Sequence, residues 1–396
     1  MISQRMQKFA GGNSAVRAMF EEGKRLAALY GKENIYDFSI GNPNFPAPAQ
    51  VNETIIQLAQ TEESTQLHGY PANAGYPEVR RAVAQDLERR YGVDYDENSI
   101  VMTVGAAGGI NCALQTLLDP DDEVLVFAPY FLEYGNYVSN WNGILKAIPA
   151  TPPDFLPNIE KLCAAVTEKT KALILNNPNN PTGVIYDKRT LEAIAATLDA
   201  KQKEYGHPIY ILSDEPYRDL AYDGVAVTHI PTVYPNTLVI YSWSKSLSLP
   251  GERIGYVAIP KAAEDAAAIF EALSISNRII GFVNAPSLQQ KVVAQCLTCQ
   301  TDLSGYDKNR QALYRGLTDI GFSCLYPQGA FYLWMKTPIQ DDVAFAEAAK
   351  KHRILLVPGK SFAGPGYVRI AYCVSYEQIE RSLPAFADLY AEVAGK

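Results

Sequence analysis

The sequence predicts an α/β protein: a large domain with a mainly parallel central sheet and crossover helices, joined to a smaller α+β domain. Three observations carry that expectation. The 396 residues exceed one ordinary core, and 47% apolar with 20% charged residues is the balance of a globular chain rather than a disordered one. From residue 99 to about 260, short β-branched or aromatic runs alternate with helix-patterned segments, as in sheets whose parallel strands need crossovers. After Lys261 the texture changes to long helices with few strands, and no repeat, low-complexity tract or long charge run separates the two parts.

Two helices come first. One covers Ala15 to Tyr30. The other runs from Glu78 to Tyr91, after Pro77 at a helix-start position, and sets Val79, Val83 and Leu87 along one stripe. The strands of the large sheet follow as Ser99 to Val104, Glu123 to Ala128, Lys171 to Asn176, Ile209 to Ser213, Thr237 to Trp243 and Arg253 to Ile259. Several are apolar almost throughout, as strands covered on both faces are. Gly329 to Met335 and Tyr367 to Tyr372 are the short strands of the smaller domain.

Composition excludes several classes. Lys and Arg number 35 against 43 Asp and Glu, a formal charge of −8 that argues against a general nucleic-acid or anionic-membrane footprint. No run of eighteen apolar residues occurs and the first residues lack the apolar middle of a signal peptide, so the expected compartment is the cytoplasm. The six cysteines fit buried thiols; Cys296 and Cys299 form a C-x-x-C inside the helix-like run KVVAQCLTCQTDL, with no second pair and no nearby histidine for a metal. His68, His207, His229 and His352 are scattered, so no metal site is expected. Gly359-Lys360-Ser361 lacks the earlier glycine of a P-loop, where Ile354 stands, and Gly105-Ala106-Ala107-Gly108-Gly109 has the wrong spacing for a dinucleotide fingerprint. The aromatics are lopsided: 25 Tyr against 14 Phe and 3 Trp, more phenol than a core alone requires.

Four segments carry chemistry. Gly105 to Gly109 lies between a strand and a helix, where small residues let backbone amides approach an anion and the helix N-terminus adds positive potential. Lys245, in Tyr241-Ser242-Trp243-Ser244-Lys245, stands just past an apolar strand, where α/β sheets bind ligands, and Arg253 eight residues on can clamp a phosphate bidentately. Ser213-Asp214-Glu215-Pro216-Tyr217 ends another apolar strand with an acid that calls for a cation. Asn176-Asn177-Pro178-Asn179-Asn180-Pro181-Thr182-Gly183 ends a third in a rigid turn, where a cis peptide before Pro181 is expected.

N-N-P-N-N-P-T-G, S-D-E-P-Y, S-x-S-K with its downstream arginine and Y-V-R-I-A, in this order, resemble the class I/II aminotransferases that use pyridoxal 5′-phosphate, from about Phe38 to Tyr372. The resemblance implies that Lys245 carries the cofactor as a Schiff base and shuttles the substrate's α-proton, and that Asp214 pairs with the pyridinium. Tyr217 and Asn180 would hydrogen-bond the ring's phenolic oxygen, and Phe131 would stack on the ring. The phosphate would sit on the amides of Ala106 and Ala107, Ser242 and Arg253. Arg369, with Gly41 and Asn180, would bind the substrate carboxylate, because a permanently charged fork suits it. Tyr70 resembles the tyrosine that reaches a neighbouring subunit's phosphate, which implies a homodimer with shared active sites. The implied division is 1–45 as N-terminal arm and part of the small domain, 46–285 as the large cofactor domain and 286–396 as the small C-terminal domain, the smaller unit being built from both chain ends.

The implied reaction transfers an amino group between an L-amino acid and a 2-oxo acid, aspartate-type with 2-oxoglutarate as acceptor. Two departures bear on that substrate. The phosphate loop has no lysine, and a plain alignment puts Ile279, not Arg278, where aspartate-type relatives offer an arginine across the dimer. Two rival expectations stand beside it: β- or γ-elimination on the same cofactor, and a ligand-sensing module without catalysis, for which only about a dozen residues precede the first helix.

Overall fold

The computed structural model describes residues 2–11, 15–149 and 151–394. Its strands are β1 Tyr36–Asp37, β2 Ile100–Thr103, β3 Glu123–Ala128, β4 Ile144–Pro149, β5 Thr170–Asn176, β6 Tyr210–Asp214, β7 Thr237–Ser242, β8 Gly255–Ala258, β9 Ser323–Leu325, β10 Tyr332–Lys336, β11 Ile354–Leu355, β12 Val357–Pro358 and β13 Tyr367–Ala371. Seven form the central sheet in the order β2-β8-β7-β6-β5-β3-β4. From β7 to β4 every pairing is parallel, and β8 runs antiparallel to both β7 and β2. The predicted α/β class and all six predicted strands of this sheet are present. Sequence reading missed β4, an edge strand with only one buried residue, which lacks the continuous apolar run that marks its neighbours.

The helices Ala15–Tyr30 and Pro77–Tyr91 form where expected. The second ends at Gly92, whose φ of 69° closes the last turn in the left-handed region. Gly105 to Gly109 are not a turn ahead of a helix but its first residues, in Gly105–Leu117.

The smaller layer has a four-stranded sheet, β12-β13-β10-β9, and the parallel pair β1-β11, in which Tyr36 faces Ile354. Chain start and chain end therefore share one core, around Phe38, Phe331, Phe345 and Phe386. The helix Ser287–Gln295 belongs elsewhere: Val292, Val293 and Cys296 pack with Val51 and Leu58 of the helix Ala49–Thr61. The expected division at 285/286 thus falls inside large-domain packing, and the smaller core takes over with the helix Leu303–Ile320. An apolar run such as KVVAQC shows that it is buried, not against which core. The C-x-x-C lies just past the helix rather than inside it, since the helix ends at Gln295 and Cys299 N–H bonds back to the Cys296 carbonyl at 3.0 Å in a turn; all six thiols are free.

The topology gathers chemistry at one edge. Asn176, Asp214 and Ser242 are the last residues of β5, β6 and β7, and Gly105 follows β2, so the carboxyl ends of neighbouring strands meet. Cis peptides precede Pro129, Pro153, Pro178 and Pro181.

Candidate active site

A cavity of about 300 Å³ opens at these strand ends. Gly41, Ala106, Ala107, Phe131, Asn180, Asp214, Tyr217, Lys245 and Arg369 all line it, although they come from positions more than 300 residues apart in sequence.

Lys245 lies in a one-turn helix, Trp243–Ser246, whose start is capped by Ser242 Oγ accepting from the Ser244 amide at 3.2 Å. Gly255 of β8 makes the close packing behind it possible: a Cβ there would stand 2.3 Å from the Tyr241 carbonyl oxygen and 3.0 Å from Gly105. Lys245 Nζ donates to the Gly41 carbonyl at 2.8 Å. Burial pushes its amine down to about 8; the Cys373 thiol opposes this, and the Arg369 and Arg253 cations add to it. Such an amine reaches its neutral, nucleophilic form close to physiological pH.

Asp214 is buried at the other wall. The Tyr134 hydroxyl donates to its Oδ2 at 2.5 Å, while Oδ1 has no partner among the described residues. Burial pushes the carboxyl up to about 7, against the Tyr134 hydrogen bond and with a small contribution from Glu215. A buried carboxylate oxygen without a donor is costly, and a ring N–H cation in the cavity satisfies it. Asn176 ties this wall to the next: its Nδ2 donates to the Asp214 carbonyl at 2.9 Å and its Oδ1 accepts the Asn180 amide at 2.6 Å.

Arg369 is buried on β13. Nη1 donates to Asn180 Oδ1 at 3.1 Å and Nη2 to the Ser39 carbonyl at 2.7 Å, which leaves buried Nε without a partner among the described residues. The guanidinium lies 4.5 Å from the Tyr332 ring centroid and 4.9 Å from that of Phe362. Held between aromatic faces, with its Nε–H unpartnered, it suits an anion. Tyr217 and Tyr332 join hydroxyls at 2.9 Å, and burial pushes the Tyr217 phenol well above its ordinary value.

The opposite end of the cavity suits a phosphate. The first amides of the helix Gly105–Leu117, those of Ala106 and Ala107 among them, have no intrahelical acceptor. Arg253 is held beside them in a left-handed conformation, φ 53°, with Nη1 donating to the Pro250 carbonyl at 2.8 Å. Its Nη2 comes so near Gly105 that a Cβ there would be 2.6 Å away. Arg253, exposed, and Ser242, buried, are not among the residues lining the cavity, and neither is Tyr70, 90% exposed on the surface. Phe131 borders the cavity with its ring edge-on to Tyr134 at 5.5 Å.

Sequence reading assigned no role to Tyr134, Tyr332 or Asn176. Asn176 opens the asparagine-proline run. The two phenols were marked only by the surplus of tyrosine, of which they are a purposeful part.

The residues fit pyridoxal 5′-phosphate. An orphaned Asp214 Oδ1 suits its ring nitrogen, Lys245 its aldehyde, and the helix start with Arg253 its phosphate. Comparisons with known proteins point the same way. The chain is 33% identical over 353 residues to the aspartate/prephenate aminotransferase of Thermus thermophilus, covering 88% of this chain and 89% of that one. An aminotransferase structure from Eubacterium rectale superposes with a TM-score of 0.97 at 42% identity, over 99% of each chain. The aspartate aminotransferase of Thermus thermophilus solved with maleate superposes at 0.87 and 30% identity, over 98% of this chain and 99% of that one. The profile of the family "Aminotransferase class I and II" matches residues 33–386, and with this site beneath it the chain belongs to the class I and II aminotransferases, pyridoxal 5′-phosphate-dependent transaminases.

Proposed function

We propose that this transaminase moves the amino group of an aspartate-type L-amino acid to 2-oxoglutarate, in the cytoplasm, as a homodimer with shared active sites. The observation that carries the reaction is that Arg369, whose Nε is unpartnered, lines the same cavity as Lys245. When bound, the cofactor supplies an electron sink for the carbanion formed at the substrate's α-carbon. The chain does the rest. Arg369 and the Gly41 amide orient the α-carboxylate, Lys245 Nζ takes the α-proton and returns it, and Asp214 Oδ1 holds a proton on the ring nitrogen. Tyr217 and Asn180 donate toward the ring's phenolic oxygen, and Phe131 covers the ring.

The dicarboxylate preference is supported by the relatives, one named for aspartate and prephenate and one solved with maleate, itself a dicarboxylate. Within this subunit the helix start Ala106–Ala107 offers no cation to a second carboxylate. Arg278 is the candidate: exposed on the last turn of the helix Ala266–Ile279, it makes no side-chain hydrogen bond or ion pair among the described residues. Ile275 and Ile279 of the same helix, and Val283 and Tyr70, are exposed as well, large apolar side chains of the kind a second subunit covers. Asn73 ties the Tyr70 segment to the Val283 segment by donating to the Val283 carbonyl at 2.7 Å. Six free thiols support a reducing compartment.

The test is an initial-rate matrix of amino donors against oxo acids. Parallel double-reciprocal lines with aspartate and 2-oxoglutarate support the proposal. Release of ammonia and pyruvate from a cysteine-like substrate, with no oxo acid needed, overturns it in favour of elimination. Arg278→Ala raises KM for aspartate and leaves KM for monocarboxylic donors unchanged if the second carboxylate meets that arginine.

A further inference from the structure

Tyr332 is the one phenol on this cavity that bridges three parts of the site, and no step of the transamination yet uses it. It opens β10, opposite Ala371 of β13, so it rides on the same small sheet as Arg369. Its hydroxyl lies 2.9 Å from that of Tyr217, which projects from the segment after β6 in the large domain. The same hydroxyl presses on the Gly41 backbone, where an added Cβ would meet it at 2.0 Å, and the Gly41 carbonyl takes the Lys245 hydrogen bond. Its ring carries the Arg369 guanidinium at 4.5 Å.

We infer that Tyr332 is a positioning residue that fixes the direction of the Tyr217 hydroxyl: Tyr332 O–H donates to the Tyr217 oxygen, which leaves the Tyr217 proton free to point at the cofactor's phenolic oxygen. The inference rests on the reading that Tyr217 contacts that oxygen. Of two phenols sharing one hydrogen bond, only one donates within the pair, and the other keeps its proton for a third group. Arg369 settles which. The Arg369 cation lies 4.5 Å from the Tyr332 ring centroid while the cation over the Tyr217 ring, Lys245 Nζ, lies 6.0 Å away, so negative charge is better stabilised on Tyr332, which makes it the better donor, and its hydroxyl is hemmed in by Gly41. The charged and titratable groups facing the pair are Arg369 and Cys373 beside Tyr332, and Arg369, Asp214 and Lys245 beside Tyr217; Arg253 acts on Lys245 in addition. A donor chain of two phenols is stronger than a single one, since each bond polarises the next. Tyr332 therefore helps stabilise the phenolate oxygen and, through it, lowers the proton affinity of the nitrogen that links the cofactor to Lys245.

The experiment is an absorbance titration of the bound cofactor in the holoenzyme, without substrate. Tyr332→Phe keeps the ring and its stacking on Arg369 but removes the donor; the pH midpoint of the colour change should rise by about 0.2 to 0.6 unit, the share of a charge-assisted bond lost with its cooperative neighbour. Tyr217→Phe should raise the midpoint by about 1 to 2 units. In that background Tyr332→Phe should add nothing. An unmoved midpoint in Tyr332→Phe alongside a shifted one in Tyr217→Phe overturns the inference, as does a Tyr332→Phe shift that persists without Tyr217. An unmoved midpoint in Tyr217→Phe overturns instead the contact of Tyr217 with the phenolic oxygen.

Discussion

Asp214 offers a direct measure of how the site's charge is held. Its carboxyl rises from an ordinary 3.8 to about 7 because burial disfavours the anion, so in the cofactor-free protein the folded state binds a proton more tightly than the unfolded state does. A raised pKa contributes stability at low pH that is lost as pH rises through the folded value. From pH 5 to pH 8 this loss is about 3 kcal/mol, since each tenfold difference in proton affinity is worth about 1.4 kcal/mol and little is left to titrate above 8. Asp214→Asn removes the titration while its amide oxygen still accepts from Tyr134. Urea unfolding of both cofactor-free proteins, at one protein concentration, should show the variant's stability relative to the parent growing by about 3 kcal/mol from pH 5 to pH 8. Adding pyridoxal phosphate should reverse the order at pH 8, because the ring cation then pairs with the aspartate and not with the amide. A difference between the two proteins that stays flat from pH 5 to pH 8 refutes the reasoning.

Other outcomes follow from the same geometry. Reattachment of pyridoxal phosphate to the cofactor-free protein, trapped with borohydride, should accelerate with pH and level off above about 8, where the Lys245 amine is neutral; a midpoint near 10.5 contradicts its desolvation, and Lys245→Ala should trap nothing. Arg369→Lys should raise KM for amino acids by about 10- to 100-fold through loss of a charge-assisted fork, with cofactor absorbance unchanged. Gly41→Ala places a methyl 2.0 Å from the Tyr332 oxygen, so steady-state kinetics should show a loss of kcat/KM of about tenfold or more; wild-type kinetics would mean the loop and Tyr332 are not locked together.

The large sheet was legible because strands covered on both faces are written as apolar runs; Leu173 to Leu175 and Val239 to Tyr241 are buried throughout. β4 was illegible because it is mostly exposed or half-buried and carries no such run, unlike β2 at the other edge, which is buried throughout. The residues at strand ends were readable from chemistry, since Asp214 and Lys245 have no reason to follow apolar strands unless something charged meets them. Tyr134, Tyr332 and Asn176 act through other residues, and a phenol that orients an aspartate reads, in one dimension, like one that fills a core. Which core the helix Ser287–Gln295 joins was unreadable for the same reason: an apolar face records burial and not its partner.

The pairing of β1 with β11 sets an order of assembly. Tyr36 leaves the ribosome roughly 300 residues before Ile354, so the first strand of the smaller layer has no partner through most of synthesis. Every strand of the central sheet, with Lys245, Asp214 and Arg253, is complete by Ala258. Arg369 arrives near the end and draws Phe38 and Ser39 into place as it docks, the Ala371 amide bonding the Phe38 carbonyl at 2.9 Å. The part of the pocket around Lys245 and Asp214 is thus an early product of the chain, and the part around Arg369 is finished only when the two termini close on each other.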